Sequence, residues 1–243
     1  VTGSDVVVHS GGDLLAAAAA ARLITRLVDA QAARGLASLV LTGGRTGNAV
    51  MEHVRDSPAR DAVDWSRVDF YWGDERFLPA GHADRNETQA RAALLDHIAV
   101  DPDRVHVMEP SDGRFGDDPD AAAEDYARVL GTPVPAFDVL LLGVGEEGHT
   151  ASIFPDSPAV HEVSRTVVAV RDCPKPPPTR VSLTLPAIRR AEEVWLMTTG
   201  EAKADPVARA LGGATEVDIP AAGARGVRRT LWLLDSAAAA KIS

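Results

Sequence analysis

The chain has 243 residues, 45% of them hydrophobic and 25% charged, and a formal net charge of −10. That composition fits a soluble globular protein long enough to bury a core, and its acidity argues against a nucleic-acid partner, which needs a basic face. Its one cysteine, Cys173, excludes an internal disulfide and suits a reducing compartment.

Read from the start, residues 6–8 are a β-branched run and a first strand. Asp13 is placed to cap the Ala-rich helix that follows, which runs to about Arg34 and stops at Gly35. Residues 36–41 form an apolar strand. TGGRTG, residues 42–47, then turns straight into a helical stretch. Residues 68–72 (VDFYW) are a strand that delivers GDERF. Asn86 and Gln89 resemble a capping box opening a helix over 87–98. A short strand is expected at 105–108 and a helix at 120–130. The unbroken apolar run 137–142 is a buried central strand, and it ends in GVGEEGH. Strands follow at 167–170 and in VSLTL after the loop CPKPPPTR. Pro186 begins a short helix, 194–198 is a strand and 201–211 a helix. Residues 231–234 are the last strand, before a terminal Ala-rich helix. Strands that are apolar throughout and alternate with helices indicate an α/β fold with a mostly parallel sheet covered on both faces. The expected organisation is a single domain over 1–243. No basic-then-apolar leader and no apolar run near ~20 residues is present, so the expected location is cytoplasmic, with no membrane partner.

Three stretches carry chemistry. TGGRTG joins a strand to a helix; its glycines let the backbone approach a ligand, and a helix N-terminus favours an anion. It matches neither GxxxxGK[ST] nor GxGxxG, so no nucleotide or dinucleotide site is expected. GDERF puts Asp74, Glu75 and Arg76 at a strand end, with Asp74 and Glu75 pointing to opposite sides. Asp74 can orient a hydroxyl or a base, and Arg76 can meet negative charge. His149 follows Gly145 and Gly148 and precedes Thr150 and Ser152. An imidazole, with a reference pKa of ~6.5, is suited to take a proton from water near neutrality. HExxH and CxxC spacings are absent, so no metal site is expected. Arg180 and Lys203 stand near strand ends, where Arg would supply a bidentate fork and Lys a point charge to a phosphate. Cys173 in CPKPPP reads as a loop residue.

These stretches, TGGRTG, FYWGDERF with Asn86 downstream, FDVLLLGVGEEGHTASIFP, PPPTRVSLTLPAI and TTGEAKA, together resemble the 6-phosphogluconolactonase family, in a superfamily shared with glucosamine-6-phosphate deaminase. The resemblance implies a three-layer α/β/α fold of modified Rossmann type without a dinucleotide site. It also implies hydrolysis of 6-phosphogluconolactone in the pentose phosphate pathway, with no cofactor and with a sugar-phosphate lactone as the small-molecule partner. By the same resemblance His149 is the general base and Asp74 and Arg76 are catalytic. Gly43, Gly44, Arg45, Thr46, Arg180 and Lys203 fall to the phosphate. The protein is expected as a monomer or small homo-oligomer. Two departures stand out: Arg45 and Gly47 replace the family's usual serine and proline, and Glu147 replaces its usual aspartate. The deaminase reads DEY where this chain reads DER. It also carries a glutamate five positions after the histidine, where this chain has Phe154, which favours lactone hydrolysis over the alternatives of a deaminase, an isomerase or a non-catalytic sugar-phosphate sensor.

Overall fold

The computed structural model describes residues 4–242. Strand β1 (Ser4–His9) leads into helix α1 (Gly12–Arg34), whose buried face repeats at Leu15, Ala16, Ala19, Ala20, Leu23, Ile24 and Leu27. That is the 3.6-residue period of a helix lying on a core, and the alanines allow close packing. Gly35, with φ of 77°, ends the helix, a left-handed conformation that glycine adopts at little cost. Asp13 is not the cap. Gly11 is, without a side-chain bond, and Asp13 sits inside the first turn, where its carboxylate suits the helix dipole and lies 3.0 Å from His53.

Strand β2 (Ala37–Leu41) and helix α2 (Gly44–Asp56) are joined by two residues, and β3 (Val68–Trp72) follows. After the short β4 (Asp74–Arg76) come α3 (Asn86–Ala93) and α4 (Pro119–Leu130). Helix α4 is capped by Asp118, which accepts from the N–H groups of Asp120 and Ala121. Next are β5 (Val139–Gly143), β6 (Val167–Val170), β7 (Arg180–Leu183) and α5 (Leu185–Ile188). The chain closes with β8 (Glu193–Thr198), α6 (Ala204–Leu211), α7 (Pro220–Gly223) and β9 (Arg229–Asp235).

Six strands form a parallel sheet in the order β1-β9-β8-β5-β2-β3. Helices flank it in the expected three-layer α/β/α arrangement. Leu39, Val40, Leu140, Leu142, Val194 and Leu233 are all fully buried, as strands covered on both faces require. From β2 the chain moves outward to β3 and then returns to place β5 on the other side of β2. This reversal opens a crevice at the carboxyl ends of β2 and β5, where open α/β sheets bind ligands. TGGRTG leaves the end of β2 and GVGEEGH the end of β5.

A second sheet, antiparallel and ordered β4-β7-β6, lies apart from the first. The sequence reading expected strands at 167–170 and in VSLTL, but not β4 nor their antiparallel pairing in a separate sheet. Its register pairs Asp74 with Ser182 and Arg76 with Arg180.

Other expectations change too. Residue 105 makes only an isolated bridge to Phe70, because the chain turns away to give the Met108 carbonyl to the buried Arg85 at 2.8 Å. Helix α3 is shorter than 87–98 and has no capping box. The Asn86 and Gln89 side chains serve other partners, and Leu94 (φ −143°, ψ −55°) breaks the helix. Residues 236–241 form turns instead of a helix. Six residues are too few to offset helix nucleation without strong packing, and Asp235 draws off the Ala238 N–H.

Candidate active site

Helix α2 opens with Gly43 as its cap, no side chain bonding its free N–H groups, and no acidic residue in its first turn. Arg45 and Thr46 occupy that turn instead. Uncapped donors, a positive dipole end and an arginine make an anion site. Gly44 adopts φ of 83° with open space where a Cβ would stand. Gly43 is needed for a different reason from the one the sequence suggested. A Cβ there would lie 1.8 Å from Asn86 Oδ1, so its missing side chain makes room for Asn86 as well as for a ligand.

Asn86 Nδ2 donates to the Asp74 carbonyl at 2.8 Å and to its carboxylate at 3.3 Å. The hydroxyl of Ser152 donates to Asp74 Oδ2 at 2.6 Å, and Arg180 Nη1 stands 3.9 Å from the same oxygen. This buried carboxylate is therefore held on three sides. Glu75 faces away, as strand alternation requires. It accepts from the backbone N–H groups of Arg76, Asn86 and Glu87 at 2.7, 2.7 and 2.8 Å. Burial nevertheless wins over these donors and Arg85, and its carboxyl is pushed up to about 7. Arg76 donates from Nη1 to the Asp84 carbonyl at 2.6 Å, while its Nε is buried without a partner. Because Arg76 stands opposite Arg180, two cations share one edge of the cleft, an arrangement that an anion relieves.

The turn after β5 is shaped around His149. The Gly145 N–H donates to the His149 carbonyl at 2.9 Å, and the Thr150 hydroxyl to the Gly143 carbonyl at 2.9 Å. A Cβ on Gly145 would come within 1.9 Å of His149 Nδ1, so only glycine leaves room for the ring. Phe154 stacks on the imidazole, with centroids 4.4 Å apart and 28° between planes. Glu147 Oε1 stands 3.1 Å from Nδ1, close but poorly aligned with the ring N–H. Catalytic pairs often have this geometry before substrate tightens them. The pairing with His149 holds the Glu147 carboxyl well below the usual range, with help from Lys175.

The nine residues singled out in the sequence, Gly43, Gly44, Arg45, Thr46, Asp74, Arg76, His149, Arg180 and Lys203, all line one cleft of about 280 Å³. That lies near the lower end for small-ligand pockets (~300–1,000 Å³). Arg180 is not the free bidentate fork expected of it. Its Nε donates to the Pro177 carbonyl at 3.2 Å, and its Nη2 to those of Lys175 and Pro176 at 3.1 and 3.3 Å. Only Nη1 is left for the cleft. Lys203 Nζ donates to Glu146 at 3.2 Å. Sequence reasoning missed Lys175 and Thr199 in the lining, and Ser152 behind Asp74. The proline-stiffened CPKPPPTR segment was a signal for Lys175, since a rigid loop ending at a cleft arginine fixes the lysine inside it. Among the described residues, no three or more His, Cys, Asp or Glu side chains are grouped to hold a metal ion, and no helix is long and apolar enough to cross a membrane.

A family model described as glucosamine-6-phosphate isomerases/6-phosphogluconolactonase matches residues 11–232. The chain is 60% identical to a 6-phosphogluconolactonase of Streptomyces coelicolor over 98% of its own length and 94% of that protein's. The solved 6-phosphogluconolactonase of Trypanosoma brucei superimposes with a TM-score of 0.81 at 27% identity, covering 99% of each chain. A monomeric glucosamine-6-phosphate deaminase also superimposes with a TM-score of 0.81, at 18% identity over 98% of this chain and 99% of its own. At that identity the likeness shows the fold alone, so shape does not separate the two chemistries.

Proposed function

The chain belongs to the glucosamine-6-phosphate isomerase/6-phosphogluconolactonase family, and we propose that it hydrolyses 6-phosphogluconolactone to 6-phosphogluconate in the pentose phosphate pathway. The observation that carries the lactone reading is the His149 ring, braced by Phe154 where a deaminase needs a carboxylate for its relay. A base held against a carboxylate at one nitrogen and an aromatic face activates water well. On the face covered by Phe154 there is no acid–base group to open an amino sugar.

The uncapped α2 N-terminus takes the phosphate through the Gly43–Gly44 backbone, with Arg45, Thr46 and Lys203 around it. Arg180 adds its one uncommitted nitrogen. Anchoring the far end of the substrate turns attack at the carbonyl into an effectively intramolecular step. Asp74, fixed by Ser152 and Asn86, accepts a sugar hydroxyl and sets the ring's orientation. His149 removes a proton from water as the water oxygen bonds to the lactone carbonyl carbon, and Glu147 steadies the imidazolium that forms. The carbonyl oxygen becomes an oxyanion, and Arg76, with an unpartnered Nε, stabilises it. When the tetrahedral intermediate collapses, the bond to the ring oxygen breaks and His149 returns its proton to that oxygen. The product is the open hydroxy acid, which ionises.

The test is lactone hydrolysis measured against spontaneous decay, with an unphosphorylated lactone as control. His149→Ala is expected to lower kcat by ~10²–10⁴-fold with little change in KM. Lys203→Ala is expected mainly to raise KM. Near-normal turnover by the His149 variant sinks the base assignment. Ammonia release from glucosamine 6-phosphate would instead support the deaminase.

A further inference from the structure

Lys175 has no role in the reaction as described above, yet the loop that carries it is built with care. Arg180 is buried, and its guanidinium donates to three successive carbonyls of that loop, those of Lys175, Pro176 and Pro177. The Cys173 N–H closes the loop onto the Pro178 carbonyl at 3.0 Å. A buried cation that spends most of its donors on a surface loop fixes what the loop presents, which is the Lys175 side chain. Its Nζ donates to Glu147 Oε2 at 3.0 Å, while Oε1 of the same carboxylate stands 3.1 Å from His149 Nδ1.

We propose that Lys175 is a positioning residue: it ties down one oxygen of Glu147 so that the other stays on His149 Nδ1, leaving Nε2 as the basic nitrogen toward the cleft. The proposal rests on the lactonase reading and deepens it. A glutamate has one more rotatable bond beside the histidine than an aspartate would. A second tether at Oε2 removes that freedom. Lys175 also has an electrostatic effect of definite sign. The Glu147 carboxylate favours positive charge beside it, and a lysine on the same carboxylate offsets part of that pull at the histidine. The other charges around the turn are Glu146 paired with Lys203, and Asp74 with Arg180 and Arg76 across the cleft. Each negative group among them has a cationic neighbour of its own, and none replaces Lys175 at Glu147 Oε2.

The test compares Lys175→Met and Lys175→Arg with the parent protein in two readouts. In lactone hydrolysis across pH 5.5–8.5, Lys175→Met is expected to lower kcat by ~10-fold with KM within ~2-fold. The acid limb of its pH profile should move upward by about half to one unit. Lys175→Arg, which keeps the charge, should restore the limb. The second readout needs no turnover: in ¹⁵N-labelled protein, the titration midpoint of the His149 ring nitrogens should move upward by the same amount in Lys175→Met. If the parent protein fails to hydrolyse the lactone, the activity reading falls while the ring titration still tests the tether. In a Glu147→Gln background Lys175→Met should move neither readout further. An unmoved limb and an unmoved ring titration overturn the proposal. So does a raised KM with kcat and limb intact, since that makes Lys175 a phosphate ligand. A full shift surviving in the Glu147→Gln background overturns it as well.

Discussion

Gly145→Ala puts a single methyl group against His149, the proposed general base. Built on the backbone as it stands, the new Cβ meets His149 Nδ1 at 1.9 Å and Glu147 Oε2 at 2.9 Å. An ordinary contact begins near 3.4 Å, so the ring must retreat by 1.5 Å (3.4 − 1.9). Phe154, stacked 4.4 Å behind it and buried, leaves little room to do so. Misplacing a reacting group by ~1 Å costs on the order of 10²-fold in rate. The expected result is therefore a kcat reduced by ~10²-fold or more, KM nearly unchanged, and a stability loss of about 1–3 kcal/mol from overpacking. The control is Gly11→Ala, which meets nothing within 4 Å on an extended backbone. Both variants are assayed for lactone hydrolysis with the spontaneous rate subtracted, and their unfolding midpoints are measured in urea. If Gly145→Ala keeps parental kcat while Gly11→Ala behaves the same, the ring does not depend on that empty volume. The account of how His149 is placed then fails.

Arg180→Ala should do more than weaken substrate binding. It strips three loop carbonyls of their donor and leaves the buried Asp74 without its cation, so a stability loss of ~3–5 kcal/mol is expected together with a fall in both kcat and kcat/KM; a pure KM effect at parental stability would contradict this. Glu75 gives a pH signature. Its carboxyl is raised in the folded protein to about 7, so its contribution is full below the unfolded value and is lost as pH climbs to about 7. Glu75→Gln should flatten the stability profile over that window, as followed by thermal unfolding at constant ionic strength, and a slope that persists would place its origin elsewhere. Glu147 has the opposite sign: held low by His149 and Lys175, it contributes stability above the ordinary glutamate range that is lost as pH falls below it. The acid side of the profile should lose that drop in Glu147→Gln.

The parallel strands were legible because each is an apolar run between turn signals, and the site because its motifs end such runs. What stayed hidden depended on contacts distant in sequence. Arg180 looked like a ligand-binding fork because a side chain's type is local, but most of its donors turn back onto carbonyls of its own loop, and its carboxylate partner, Asp74, is more than a hundred residues away. Asn86 looked like the start of a capping box, yet its amide is drawn to Asp74, and Gly43 is small to admit it. Strands 167–170 and VSLTL were legible, but their grouping in a separate β4-β7-β6 sheet was not, because the three-residue β4 has no periodicity to read. Yet it sets Arg76 opposite Arg180.

Position 154 bears on which reaction the proposed site suits. In this chain the turn after β5 presents His149, and the residue five positions later, Phe154, falls beside its ring. A carboxylate there would add a proton carrier to the ring's surroundings and keep them wet. Phe154 does the reverse: it is buried, covers one face of the imidazole, and has Arg180 5.9 Å from its own ring. With no acceptor on that face, the imidazole has Glu147 beside Nδ1 and Nε2 left for chemistry. A water-activating base needs no more than that, because lactone opening returns to the leaving oxygen the same proton that water gave up. A ring-opening relay must hold a second proton at a second site. In the proposed mechanism the aromatic residue thus leaves His149 a single proton cycle, from water to the leaving oxygen.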